Sequence, residues 1–169
     1  MTVAPTPSQT AGPFFSFLLD GFFPNELVPL DASDAIRIRG QVVDARGRPV
    51  PDAMVEIWQR PSAEIPGGFA RSGTDGEGWF EFVTVKPAPL ETNGRTQAPH
   101  LAVTIFARGL LKQAVTRLYF PDDEANADDP VLSVLDPDAR STLIARSENG
   151  GLRFDIRLQG DGQTTFFAF

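Results

Sequence analysis

Apolar and polar positions alternate through most of this chain. From residue 35, Ile36, Ile38 and Val42 fall on one side of an extended segment and Arg37, Arg39 and Gln41 on the other, the period-two signature of a half-buried strand. Residues 44–49 form a turn through Gly47 and Pro49, and 50–59 return as a second strand centred on 54–58. A loop at 61–68 is followed by 69–72, which lead into a turn at 74–78. The segment 79–85 alternates again, and 86–99 is a Pro-rich loop. Residues 101–107 and 114–120 predict two strands paired around Gly109. In a late strand, Phe154, Ile156 and Leu158 alternate with Arg153, Asp155, Arg157 and Gln159. One stretch carries helix punctuation, with Asp136 as N-cap, Pro137 at the first helical position, Arg146 near the end and Asn149-Gly150-Gly151 as the stop. The pattern predicts an all-β fold, an antiparallel β-sandwich of about seven strands with one short helix.

Residues 1–33 break the alternation. They are rich in Pro, Thr, Ser and Phe, and they predict an irregular N-terminal arm ahead of one sandwich domain at 34–169. Such an arm is ordered only where it lies on something. Phe14, Phe15, Phe22, Phe23, Phe166, Phe167 and Phe169 gather at the two ends of the chain. Adjacent phenylalanines in extended backbone point to opposite faces, so each pair needs two covers. Either both covers lie in one fold, or one is a partner subunit. The repetition at both ends favours the interface.

Composition narrows the function. The 169 residues carry a net charge of −7, which disfavours nucleic acid and anionic lipid as partners. No run of about 18 apolar residues is present, so no transmembrane helix is expected. Without a basic, apolar leader or any cysteine, the chain is expected in the cytoplasm. Of fifteen basic residues only Lys86 and Lys112 are lysines, and arginine is the better residue for planar ion pairs.

Metal chemistry is limited by the donor inventory. His100 is the only histidine, Tyr119 the only tyrosine, and there is no cysteine. Zinc, copper and ferric iron sites draw three or four such groups together, so a metal used here must be held by another chain. The acidic run Asp122-Asp123-Glu124 with Asp128-Asp129 lacks EF-hand spacing and is expected to be a solvated loop. No Gly-x-Ser-x-Gly elbow, second histidine or phosphate loop marks a nucleophile or nucleotide site. Two features remain. Thr10-Ala11-Gly12-Pro13 offers backbone that a ligand can approach closely, and Arg108 ends a strongly apolar strand, where a guanidinium needs a partner. A structural ion pair and a ligand contact both satisfy Arg108.

Four stretches together resemble the intradiol ring-cleaving dioxygenases, on the side of their non-catalytic α chains. They are Thr6-Pro7-Ser8-Gln9-Thr10-Ala11-Gly12-Pro13-Phe14, the segment 40–50 with 55–59, Ala98-Pro99-His100 with 106–109 and 116–120, and 153–160 with 165–169. In that family a β chain binds ferric iron, Fe(III), through two tyrosines and two histidines. Here 58–69 contains no tyrosine, Leu90 stands where the second would fall, and the His-x-His pair is reduced to His100 and Ala102. The resemblance therefore implies that this chain binds no metal, His100 being a remnant, and has no catalytic residue of its own. It implies an (αβ)n hetero-oligomer in which an iron-bearing β subunit cleaves 3,4-dihydroxybenzoate with O2. Arg108, Gly12 and Pro13 would then line one wall of the substrate pocket. The competing reading is a standalone β-sandwich binding or adhesion module.

Overall fold

The computed structural model describes residues 5–10, 12, 15, 24–61 and 67–168. In chain order the strands are β1 (Ile36–Val43), β2 (Met54–Gln59), β3 (Gly68–Gly73), β4 (Trp79–Thr84), β5 (Leu90–Thr92) and β6 (Arg95–Gln97). They continue with β7 (His100–Phe106), β8 (Ala114–Tyr119), β9 (Arg146–Glu148), β10 (Gly151–Arg153) and β11 (Ile156–Arg157), and between β8 and β9 lies the α-helix α1 (Pro137–Ser141). β3-β2-β7-β8 form an antiparallel sheet, and β1 organises a second sheet of β4, β9, β10 and β11. The two sheets face each other across one core. Ile38, Val42, Phe80, Phe82, Phe154 and Ile156 meet Val55, Ile57, Leu101, Val103, Ile105 and Leu118 there. The alternation read from the sequence is the inward and outward pleat of these strands, and the fold is the β-sandwich it predicts.

The second sheet is mixed rather than purely antiparallel. β10 and β11 both run parallel to β1, along the edge opposite β4. They are two pieces of the predicted late strand, broken at Asp155, whose carboxylate accepts the Gln41 amide at 3.1 Å. A side chain thus replaces the missing ladder acceptor. The backbone comes closest just before this break. A Cβ at Gly40 would lie 1.8 Å from the Phe154 carbonyl oxygen and 2.5 Å from the Phe80 ring, so only glycine fits.

Four further expectations change. The helix stops at Ser141, because Tyr119 donates its amide to Leu143 and accepts from Ala145. Pairing of residues 143–145 alongside β8 wins over continuing the helix. The loop at 86–99 contains the β5–β6 hairpin, and 68–73 is a full strand against β2. The acidic run is not simply solvated: Asp123 caps a 3-10 turn at Glu124–Ala127, and Asp129 is fully buried.

The ends of the chain fasten onto the sandwich. Leu27 donates its amide to the Val83 carbonyl, Val83 in return donates its own amide to the Asn25 carbonyl, and Arg71 donates to Pro24. Phe166 packs against the main core, and Phe167 against a smaller one built on Ala98, Tyr119, Leu132 and Leu143. The C-terminal pair therefore packs against this chain's own cores in both directions, with each ring half-buried. Phe14, Phe22, Phe23 and Phe169 lie outside the described residues.

Candidate functional site

Arg108 occupies the corner where β7 turns toward β8. Ala107 ahead of it is buried, Leu110 donates its amide to Ala107, and Gly109 takes φ +91°, a conformation that favours glycine. The corner pushes the Arg108 side chain outward, where it stays 64% exposed and its Nε donates to the Asp52 carboxylate at 2.9 Å. The guanidinium thus has the ion-pair partner that the apolar strand demands, and one side of it faces solvent. Thr10 Oγ1 accepts the Gly109 amide at 3.0 Å and brings the arm to this corner. Between arm and turn lies a cavity of about 370 Å³, walled by Gln9, Thr10, Phe106, Leu110 and Leu111. Gly12 sits two residues beyond Thr10; a Cβ there would meet nothing, so the backbone is open to a partner on that side. Pro13 lies outside the described residues.

His100, Ala102 and Thr104 share the outer face of β7. Ala102 stands between Trp58 of β2 and Arg117 of β8, and Trp58 is 50% exposed. The His100 ring packs beside Tyr119 with centroids 5.3 Å apart, and its Nδ1 donates to the Ala98 carbonyl at 2.7 Å. Burial pushes His100 below its ordinary value, against the Ala98 bond; the nearby Arg117 charge lowers it further. Tyr119 is fully buried and sits in a chain of polar contacts. Arg117 Nη1 donates to Gln97 Oε1 at 2.7 Å and to the Tyr119 oxygen at 3.1 Å, and Tyr119 donates to Asp129 at 3.3 Å. Burial is the main reason its hydroxyl is pushed up to about 12, with the Asp129 charge adding to it and Arg117 opposing.

These residues do not fit ferric iron. Tyr119 is committed as a neutral phenol, His100 is a single imidazole, and Ala102 offers only a methyl group. Among the described residues no three His, Cys, Asp or Glu side chains come together to hold a metal.

Asp129 is the residue whose importance the sequence pattern concealed. Its carboxylate accepts the amides of Ala98, Val131 and Leu132 at 2.8–2.9 Å, clamping the segment that leads into β7. A signal was present. Asp129-Pro130-Val131-Leu132 repeats the Asp-Pro capping pattern of Asp136-Pro137-Asp138-Ala139, where Asp136 accepts the Ala139 amide. The partner of Arg108, Asp52, carried no such mark.

Comparison with known proteins places this geometry among relatives. A family model described as Dioxygenase matches residues 25–160. The protocatechuate 3,4-dioxygenase alpha chain of Burkholderia cepacia is 38% identical across 98% of this chain and 98% of its own. The beta chain from the same organism is 31% identical over 78% of this chain and 67% of its own. The dioxygenase domain of a dioxygenase carbohydrate-binding protein fusion from Streptomyces sp. SirexAA-E superposes with a TM-score of 0.61. It covers 93% of this chain and 99% of its own at 24% identity, a likeness of fold alone. No helix among the described residues is long and apolar enough to cross a membrane.

Proposed function

The chain belongs to the dioxygenase family, in its intradiol branch, and from that premise we propose that it is the α chain of an αβ protocatechuate 3,4-dioxygenase. The observation that carries the reading is a full-length match to alpha chains combined with a β7 face that cannot hold iron. The family uses non-heme Fe(III); in this reading the iron belongs to the β chain, and so does the chemistry at the aromatic ring. Membership of a hetero-oligomer is supported by the homology of this chain to both chain types. A cytoplasmic setting fits a chain without cysteines.

What this chain's own residues do is bind and shape. Residues 1–33 act as an arm that reaches from the sandwich domain at 34–169 toward the β chain. The Thr10–Gly109 hydrogen bond supports this role by giving the arm an anchor beside Arg108. Arg108, with Gly12 and Pro13, forms one wall of the pocket for 3,4-dihydroxybenzoate. A carboxylated catechol entering a pocket must replace the water around its carboxylate, and a guanidinium does so with charge-assisted hydrogen bonds. Asp52 holds that guanidinium in place without enclosing it, leaving donors for a ligand. The Gly12 backbone can approach a partner without a side chain in the way.

Co-expression with a homologous iron-bearing β chain tests the proposal. The expected result is one coloured complex that consumes O2 with 3,4-dihydroxybenzoate, while this chain alone has no such activity. Ring cleavage by this chain alone, or a fully active β chain without it, would overturn the reading.

A further inference from the structure

A second concave site lies on the outer face of the mixed sheet, away from Arg108. Its cavity of about 360 Å³ is bounded by β10, β11 and the residues that follow α1. Three guanidiniums line it, those of Arg146, Arg153 and Arg157, against two carboxylates, Asp155 in the lining and Glu148 beside it, 3.8 Å from Arg153 Nη1. In a chain with a net charge of −7, this is a local excess of positive charge.

Two of the three guanidiniums are already fixed in direction. Arg153 Nε donates to Asp155 Oδ1 at 2.6 Å while its guanidinium lies 4.2 Å from the Trp79 ring centroid. Arg146 Nη2 donates to Asp155 Oδ2 at 2.9 Å. Asp155 is itself held by the Gln41 amide in the gap between β10 and β11. The remaining group, Arg157, is tied through its backbone to Thr164, and among the described residues its guanidinium has no hydrogen bond or ion pair. Each guanidinium carries five donors, and the three together carry more than the Asp155 and Glu148 carboxylates can accept. The cavity volume is at the small end of known ligand pockets.

From this arrangement we propose that the cavity binds a small oxyanion, recognised by Arg157 together with Arg146 and Arg153. Preorganisation by Asp155 and Trp79 lowers the ordering cost of binding, and Arg157 supplies the uncommitted fork. Inorganic phosphate and a small polycarboxylate present the same chemistry to these groups.

Calorimetry on the full-length chain, purified in the complex it forms, distinguishes the two sources. Titrations with inorganic phosphate and with citrate at low ionic strength should give saturable binding of at least one, and the tighter of the two identifies the source. Arg157→Gln should weaken that binding about tenfold or more, as loss of a charge-assisted contact does. Arg95→Gln, on the separate β5–β6 hairpin, should leave it unchanged. If Arg157→Gln does not fold, the same weakening in Arg146→Gln decides the matter. Absence of saturable binding by both anions, or equal weakening by Arg95→Gln, would overturn the proposal. The readout is binding, so it stands apart from any outcome for ring cleavage.

Discussion

Thr10 Oγ1 accepts the amide of Gly109 at 3.0 Å, joining the start of the chain to the corner of the β7–β8 hairpin. The hydroxyl is the group that matters: it accepts a turn amide for which the hairpin provides no backbone acceptor. The residue next to that amide is Arg108, so arm and guanidinium are positioned by one feature.

Arg108→Ala in the αβ complex should raise KM for 3,4-dihydroxybenzoate about tenfold or more, with a much smaller change for catechol, which lacks the carboxylate. Stability should change little, because an exposed pair such as Arg108–Asp52 contributes about 1 kcal/mol or less. Steady-state kinetics on both substrates checks this. Equal losses on the two would make Arg108 a structural residue.

Thr10→Val should release the arm from the hairpin corner while leaving the sandwich intact. Limited proteolysis should then cut the arm faster, and the melting temperature should move by little. An unchanged cleavage pattern would show that the Gly109 contact does not anchor the arm.

Gly40→Ala should prevent folding or destabilise the chain by more than about 3 kcal/mol, beyond ordinary overpacking, because the clash is with backbone. The Phe154 carbonyl that a Cβ would strike belongs to the segment held against β1. Urea denaturation measures it, and Gly12→Ala, where the space is open, is the control.

Much of this molecule was legible because pleat and alternation are the same fact. Ile38 and Val42 point inward and Arg37 and Arg39 outward in the sequence and in β1 alike. The strands that escaped detection are those whose pairing is decided by distant residues. β3 carries Gly68, Arg71 and Ser72, poor strand formers by composition, and exists because β2 gives it a ladder of six register pairs. The helix over 136–146 was overestimated for the same reason: Tyr119 captures residues 143–145 from more than twenty positions away. At the candidate site, Arg108 could be singled out because an arginine at the end of an apolar strand demands explanation. Asp52, which answers that demand, is one of many turn aspartates until the fold brings it near. Asp129 was hidden among acidic neighbours; the Asp-Pro pattern it shares with Asp136 is its mark in the sequence, and burial sets it apart in the fold.

Asp129→Ala should cost about 3 kcal/mol or more, since the buried amides of Ala98 and Leu132 and the half-buried amide of Val131 lose their acceptor together. Tyr119→Phe removes two long hydrogen bonds, from Arg117 at 3.1 Å and to Asp129 at 3.3 Å, and should cost less, about 1 kcal/mol. Denaturation of the two variants gives the order directly. Reversal of that order would mean that the Arg117–Tyr119 network, not the Asp129 clamp, secures the lead into β7.

The same cluster predicts a stability profile limited on both sides by pH. His100 is held below 6.5 in the folded chain, chiefly by burial, so the unfolded chain takes up a proton that the native one resists as pH falls through that value. Stability contributed here is present above about 6.5 and declines on acidification. Tyr119 behaves in the opposite sense. Its unfolded phenol ionises near 10, whereas the native one keeps its proton to about 12, so stability declines as pH rises through that interval. His100→Gln should flatten the acidic limb near 6.5, and Tyr119→Phe the alkaline limb above 10, each leaving the other in place. Asp44, held down to about 2 by Arg48, titrates far below the histidine window and does not confuse the assignment. Urea midpoints measured across pH test the pair. An acidic limb that survives His100→Gln would mean that the proton goes elsewhere and that the buried imidazole is not what limits stability.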